Sequence, residues 1–172
     1  MRKTSIQLLN DKVPAELIMS GPLNEQSSTE LLPVVDGIKD FCKIRLGEVS
    51  SINSLGTMAW VRFITLLGQK CSKIELFECS IDFVSQANMI LGFCGLARVM
   101  SFYGLYYCTQ CPHEHTKLFE SQELLTKQED LETMLNKGIV CVKCGNSMEL
   151  GEDSKIFIQR QISTQLQHKK AS

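Results

Sequence analysis

The chain lacks any apolar run near the roughly 18 residues a membrane-spanning helix needs, and Met1, Arg2, Lys3, Thr4 and Ser5 lack the apolar core of a secretion signal. The expectation is a protein that is not membrane-embedded and stays in the cytoplasm where it is made. It also lacks a charge excess. Eighteen basic and nineteen acidic side chains leave a net charge of -1, so no chain-wide attraction draws it to phosphate backbones or anionic lipid. Nucleic-acid binding would need a local basic patch. The short motifs of common enzymes are missing too. There is no Gly-rich phosphate loop, no Gly-x-Ser-x-Gly elbow and no His-Glu-x-x-His, and the three histidines have no paired acid in an obvious motif. The expectation is a non-catalytic protein.

What is present is a chain of 172 residues, 44% hydrophobic and 22% charged. That is enough for one ordinary domain, or for a compact domain with a small appendage, and too apolar for general disorder. The eight cysteines fall into two groups. Cys42, Cys71, Cys79 and Cys94 stand singly among apolar residues, where a thiol serves as a small buried hydrophobe. Cys108, Cys111, Cys141 and Cys144 form two Cys-x-x-Cys pairs separated by 29 residues. Without a secretion signal, this pattern reads as metal ligation and not as a disulfide framework.

The first hundred residues read as an α/β domain. Ser5 to Leu9 and Ala15 to Met19 are strand candidates joined by a turn around Asn10, Asp11 and Lys12. Gly21 and Pro22 then break the strand, and a helical pattern of Leu31, Val34, Val35, Ile38 and Phe41 begins near Pro33. Cys42 to Leu46 is a third strand, followed by a polar turn from Gly47 to Asn53. A helix capped by Ser54 runs through Met58, Val61, Ile64 and Leu67 until Gly68 closes it. Lys73 to Phe77 is a fourth strand, Ile81 to Leu91 a third helix, and Arg98 to Tyr107 a last strand. This alternation implies parallel pairing through crossover helices.

The stretch Leu46-Gly-Glu-Val-Ser-Ser-Ile-Asn-Ser-Leu-Gly56, with a helix after it and Ser20-Gly21-Pro22-Leu23 before it, resembles the signature region of STAS domains. That is the fold of the bacterial anti-sigma factor antagonists. The resemblance covers roughly residues 4 to 104 and implies a mixed sheet flanked by helices that docks a protein partner. The family's Asp-Ser-Ser-Gly motif falls on Asn53, Ser54, Leu55 and Gly56. Leu55 stands where sigma-regulatory members carry the serine that a partner kinase phosphorylates, so the resemblance carries over the docking surface and loses the switch. That surface comprises Ser50, Ser51, Asn53, Ser54, Gly56 and Thr57. The plainer reading of the same serines is that they are capping and turn residues.

The cysteine pairs define a second unit. Two residues between cysteines let a knuckle turn aim both sulfurs at one ion, and two knuckles complete the tetrahedral four-sulfur shell that zinc prefers. The expected cofactor is therefore structural Zn²⁺, although four thiolates also suit iron. The full shell leaves His113 and His115, just after the first pair, outside it. Lys117 to Ser121 could form a strand, and Thr126 with Glu129 reads as a capping box opening a helix that Gly138 ends, with Leu131, Met134 and Leu135 on its buried face. Met148 to Leu150 can return as a strand. Ile158, Ile162 and Leu166 then put an apolar stripe on a C-terminal helix whose end, Gln167 to Ser172, should fray.

The expected architecture is a STAS-like domain over 1–104, a zinc ribbon over 105–153 and a C-terminal helix with its tail over 154–172. The same pairing of domains resembles uncharacterised bacterial regulatory proteins. It implies a regulatory interaction module whose partner is a kinase, an anti-sigma-like protein or, as an accessory STAS subunit, the ATPase of a lipid transporter. Nucleic-acid binding through the ribbon is the alternative. A second unit with eight basic and nine acidic side chains, made more negative by four thiolates on one Zn²⁺, opposes it.

Overall fold

The computed structural model describes residues 3–9, 14–126, 133, 135 and 138–170. They form two sheets. The first has strands β1 (Ser5–Leu9), β2 (Ala15–Leu23), β3 (Asp40–Ile52), β4 (Cys71–Phe77) and β5 (Arg98–Val99), side by side in that order. β1 pairs antiparallel with β2, and every later pair is parallel. The crossovers that parallel pairing demands are a short helix α1 (Ser27–Leu31) with a 3-10 helix (Leu32–Gly37), then α2 (Ser54–Lys70), then α3 (Ile81–Met89). The second sheet has β6 (Ser101–Cys108), β7 (Glu114–Glu120), β8 (Ile139–Val140) and β9 (Ser147–Leu150), in the order β7-β6-β9-β8, all antiparallel. Helices α4 (Ser121–Thr126) and α5 (Glu152–Lys170) follow β7 and β9. The α/β class and the mixed sheet flanked by helices agree with the sequence.

Alternation along the strands explains the layering. Leu17 and Met19 on β2, Cys42, Ile44 and Leu46 on β3, and Ile74 and Leu76 on β4 are buried. Trp60, Phe63, Ile64 and Leu67 of α2 are buried as well, at the helical spacing that makes one face apolar. The Trp60 indole donates to the Phe93 carbonyl at 2.8 Å and meets Phe83 edge-on, which ties α2 to α3 and the loop beyond it. The burial of Cys42, Cys71 and Cys79 matches the reading of the scattered cysteines as small hydrophobes. Burial pushes the thiols of Cys42 and Cys94 up to about 12, which keeps them protonated and unreactive.

Several local expectations are corrected. Gly21 and Pro22 do not end β2. They form an irregularity in its pairing with β3, and the strand runs on to Leu23. Gly21 has φ +81°, and a Cβ there would stand 2.5 Å from the Lys3 carbonyl oxygen, so the N-terminal segment can close over the bend only because no side chain is present. The polar stretch Gly47 to Ile52 is strand, since Gly21 to Leu23 continue to pair with Val49 to Ile52. Helix α2 is capped by Asn53 instead of Ser54 and passes Gly68 to end at Lys70. The helix expected near Pro33 is α1 followed by the 3-10 turn, and α3 stops at Met89. The expected strand Arg98 to Tyr107 is two strands in two sheets. Met100 donates to Leu76 at 2.8 Å, and from Ser101 the chain pairs with β7, while Cys79, just past β4, still bridges to Phe102. The turn at Asn10 to Lys12 and the capping box at Thr126 and Glu129 lie on or against residues outside those described.

The sheets share one apolar core. Phe102 and Tyr106 of β6, Phe119, Met148, Leu150 and Phe157 join the residues of β2 to β4 in a single buried cluster. Arg160 of α5 donates to the carbonyls of Ala87 and Asn88 at 2.9 and 3.1 Å, and Ser154 accepts the Leu105 N–H at 3.0 Å.

Candidate functional site

The four paired cysteines converge. Cys108 leaves the end of β6, Cys111 follows in the next turn, Cys141 follows β8, and Cys144 closes the tight turn before β9. All four sulfurs lie within 4.8 Å of one another. Cys108 and Cys144 are 3.4 Å apart and Cys111 and Cys141 are 3.7 Å apart. Both distances are too long for a disulfide, whose sulfurs bond at about 2.05 Å. They are close to the edge of about 3.8 Å that a tetrahedron of sulfurs at about 2.3 Å from one ion would have. The cluster could hold a metal ion. His113 is half-buried, His115 is exposed, and neither belongs to the cluster.

Backbone geometry makes the two knuckles. The Cys108 N–H donates to the His113 carbonyl at 3.0 Å and closes the first. In the second, Cys141 N–H donates to the Asn146 carbonyl at 2.8 Å and Gly145 N–H to the Cys141 carbonyl at 2.9 Å, with Gly145 at φ +74°. Donors reach the sulfurs as well. Gln110 N–H lies 3.5 Å from Cys108 Sγ, and Asn146 Nδ2 lies 3.4 Å from Cys144 Sγ. The Asn146 side chain, then its backbone and the neighbouring sulfur of Cys108, lower the Cys144 thiol to about 6. A hydrogen bond with the His113 backbone lowers Cys111, but burial and the adjoining sulfurs outweigh it and push that thiol up to about 12. Four sulfurs this close together are all satisfied at once by one shared cation. Sequence reading had not singled out Asn146. Its place two residues after a knuckle cysteine, next to Gly145, is the signal that could have done so.

The second candidate region is the junction of β3 and α2. Ser50, Ser51, Asn53 and Ser54 are exposed, Thr57 is half-buried and Gly56 is buried. Asn53 is extended, and its side chain accepts the Gly56 N–H at 2.8 Å. Its own N–H donates to the Leu23 carbonyl at 3.1 Å, which fastens the junction to the end of β2. Thr57 Oγ1 lies 3.2 Å from Gln86 Oε1 of α3. Four of the six residues are thus exposed near the junction, and Gly56 is turned inward against the end of β2. Leu55 and Met58 are 53% and 68% exposed beside them. Because the cap is Asn53, Asn53→Ala is expected to cost about 1 kcal/mol, whereas Ser54→Ala should stay within about 0.5 kcal/mol. Denaturant melts of the two variants check this, and a larger loss with Ser54→Ala would contradict it.

No helix among the described residues is long and apolar enough to cross a membrane. Comparisons with protein-family models, curated proteins and solved structures give no match to this chain.

Proposed function

We propose that the protein is a non-catalytic bacterial regulatory module of STAS type, acting in the cytoplasm, with a structural zinc ribbon on its C-terminal side. The observation that carries the reading is the β3–α2 junction. It is an asparagine-capped helix start at the end of the sheet's central strand, with exposed serines before it and two exposed apolar side chains, Leu55 and Met58, after it. A polar rim around exposed apolar residues is what a protein partner can desolvate at small cost. The partner is a regulatory kinase, an anti-sigma-like protein or a transporter ATPase. With Leu55 at the position of the phosphorylated serine, docking is not switched there.

Zinc fits the ribbon because four thiolates fill a tetrahedral shell and leave no position for a substrate. Its role here is to hold the two knuckles, and through them β6, β8 and β9, in register.

Ser51→Arg tests the docking surface. Ser51 is exposed and opposite Pro22 in the sheet, so the substitution should move the midpoint of unfolding little, by about 0.5 kcal/mol. The expected result is loss of the partner recovered by affinity purification from the native cell, with the melting temperature nearly unchanged. Undiminished recovery would move the binding surface elsewhere.

A further inference from the structure

The second sheet has one face packed on the core and one that is partly exposed. Phe102 and Tyr106 of β6 and Met148 and Leu150 of β9 point inward and are buried. The outward row on β6 is Tyr103, Leu105 and Tyr107, opposite Leu118, Thr116 and Glu114 of β7. A solvated strand face normally alternates to polar residues. This one presents two phenols and a leucine in succession, with Tyr107 46% and Leu118 39% exposed.

The charge of the face is one-sided. Every charged side chain at an outward position of its four strands is a carboxylate: Glu114, Glu120 and Glu149. At its far end the face meets the first sheet in a cleft of about 360 Å³, lined by Gly47, Ser80, Ile81, Asp82, Tyr103 and Thr116. The start of α3 borders this cleft, but Ser80 Oγ already accepts the Phe83 N–H at 3.3 Å. The charged residue of that lining is Asp82, which is exposed, and the Glu78 carboxylate that adjoins Gly47 is paired with Arg45.

We propose that this face docks a basic segment of a partner protein. Its apolar side chains lie along Tyr103, Leu105 and Tyr107, and one arginine or lysine enters the cleft beside Asp82. Rings bordered by carboxylates suit a guanidinium or ammonium group, which gains from the π faces and the negative rim together. Phosphate backbones are repelled by the same rim. The surface is separate from the β3–α2 junction and stands whether or not the STAS reading holds.

The test uses the full chain as purified, labelled with ¹⁵N, and a synthetic hexapeptide of alternating arginine and leucine. The controls are a glutamate–leucine hexapeptide and a short single-stranded DNA. The expected result is saturable shifts of amides in residues 80–82, 103–107 and 114–118 with the basic peptide alone. Affinity should fall about tenfold in the triple variant Asp82→Asn, Glu114→Gln, Glu149→Gln, and fall similarly at high salt. All three positions are exposed, so the variant should keep the parent amide spectrum elsewhere. Equal shifts with the acidic peptide or with DNA would overturn the proposal. So would shifts centred on another face, unchanged affinity in the triple variant, or no saturable shift.

Discussion

Replacing Cys141 with serine is expected to release the metal and to melt the second sheet. Cys141 is the most buried of the four candidate ligands, and it anchors the second knuckle through both its N–H and its carbonyl. Structural zinc sites contribute an apparent binding free energy of about 10–16 kcal/mol near neutral pH, and binding and folding are one event. That exceeds what this sheet can replace. β8 has two residues and β9 four, and two-stranded pieces of that size do not persist in water unaided. Hydrogen exchange is the direct readout. Amides of 104–108, 114–120 and 147–150 should lose protection, while those of β2, β3 and α2 keep theirs. Elemental analysis should show one zinc per wild-type chain and none in the variant. Cys42→Ser is the control, because it alters an equally buried thiol in the first sheet and should leave the metal content intact. Retained protection in Cys141→Ser, or wild-type protein with far less than one metal per chain, would sink the prediction.

The loss should also reach past the ribbon. Phe102 stacks on Phe119 at 5.6 Å and meets Phe157 of α5 edge-on at 4.9 Å. The two Arg160 hydrogen bonds then run from α5 to the end of α3. A melted second sheet removes the surface on which Phe157 and Ile158 are buried, so α5 should fray with it. The metal would in that case stabilise a surface of α3 that it does not touch.

The sequence carried the cysteine site almost entirely, because ligand type and two-residue spacing are local properties that fix knuckle geometry. The α/β class was legible for the same kind of reason, since each crossover helix has an apolar face and each inner strand an apolar row. The misreadings came where a long-range partner decided the outcome. Ser50 and Ser51 look like a turn in isolation. They are strand because the end of β2 continues alongside, and both are exposed next to buried Val49. Likewise nothing in Arg98 to Tyr107 marks the change of sheet at Met100. The segment is mostly apolar throughout, and the pairing of β6 with β7 and β9 on either side separates the two strands, with Ser101 and Phe102 both buried at the change of sheet. The partly exposed face of the second sheet was hidden by the same error, because Tyr103, Leu105 and Tyr107 look like core residues when β6 is placed in the first sheet.

A large single-residue effect is expected at Gly56 of α2. Its position in a helix would ordinarily favour alanine, which has the higher helix propensity by about 1 kcal/mol. Here the sign should reverse. A Cβ on Gly56 would lie well inside van der Waals contact with the carbonyl of Leu23 and 2.7 Å from the Asn24 nitrogen, both backbone atoms with no rotamer to change. That carbonyl also accepts the Asn53 N–H, so moving it breaks the bond that fastens the start of α2 to the end of β2. Retracting α2 instead would lift Trp60 and Phe63, both fully buried, out of the core. Overpacking without a flexible neighbour typically costs 1–3 kcal/mol and sometimes more, and with both escape routes closed Gly56→Ala should lose about 3 kcal/mol. Gly68→Ala, in the same helix and 3.5 Å from the flexible Leu96 side chain, is the comparison and should be neutral or stabilising. Urea midpoints for the two variants decide the matter, and equal stability would show that Gly56 is an ordinary helix residue. A stable Gly56→Ala protein that lost its partner would return the residue to the docking surface.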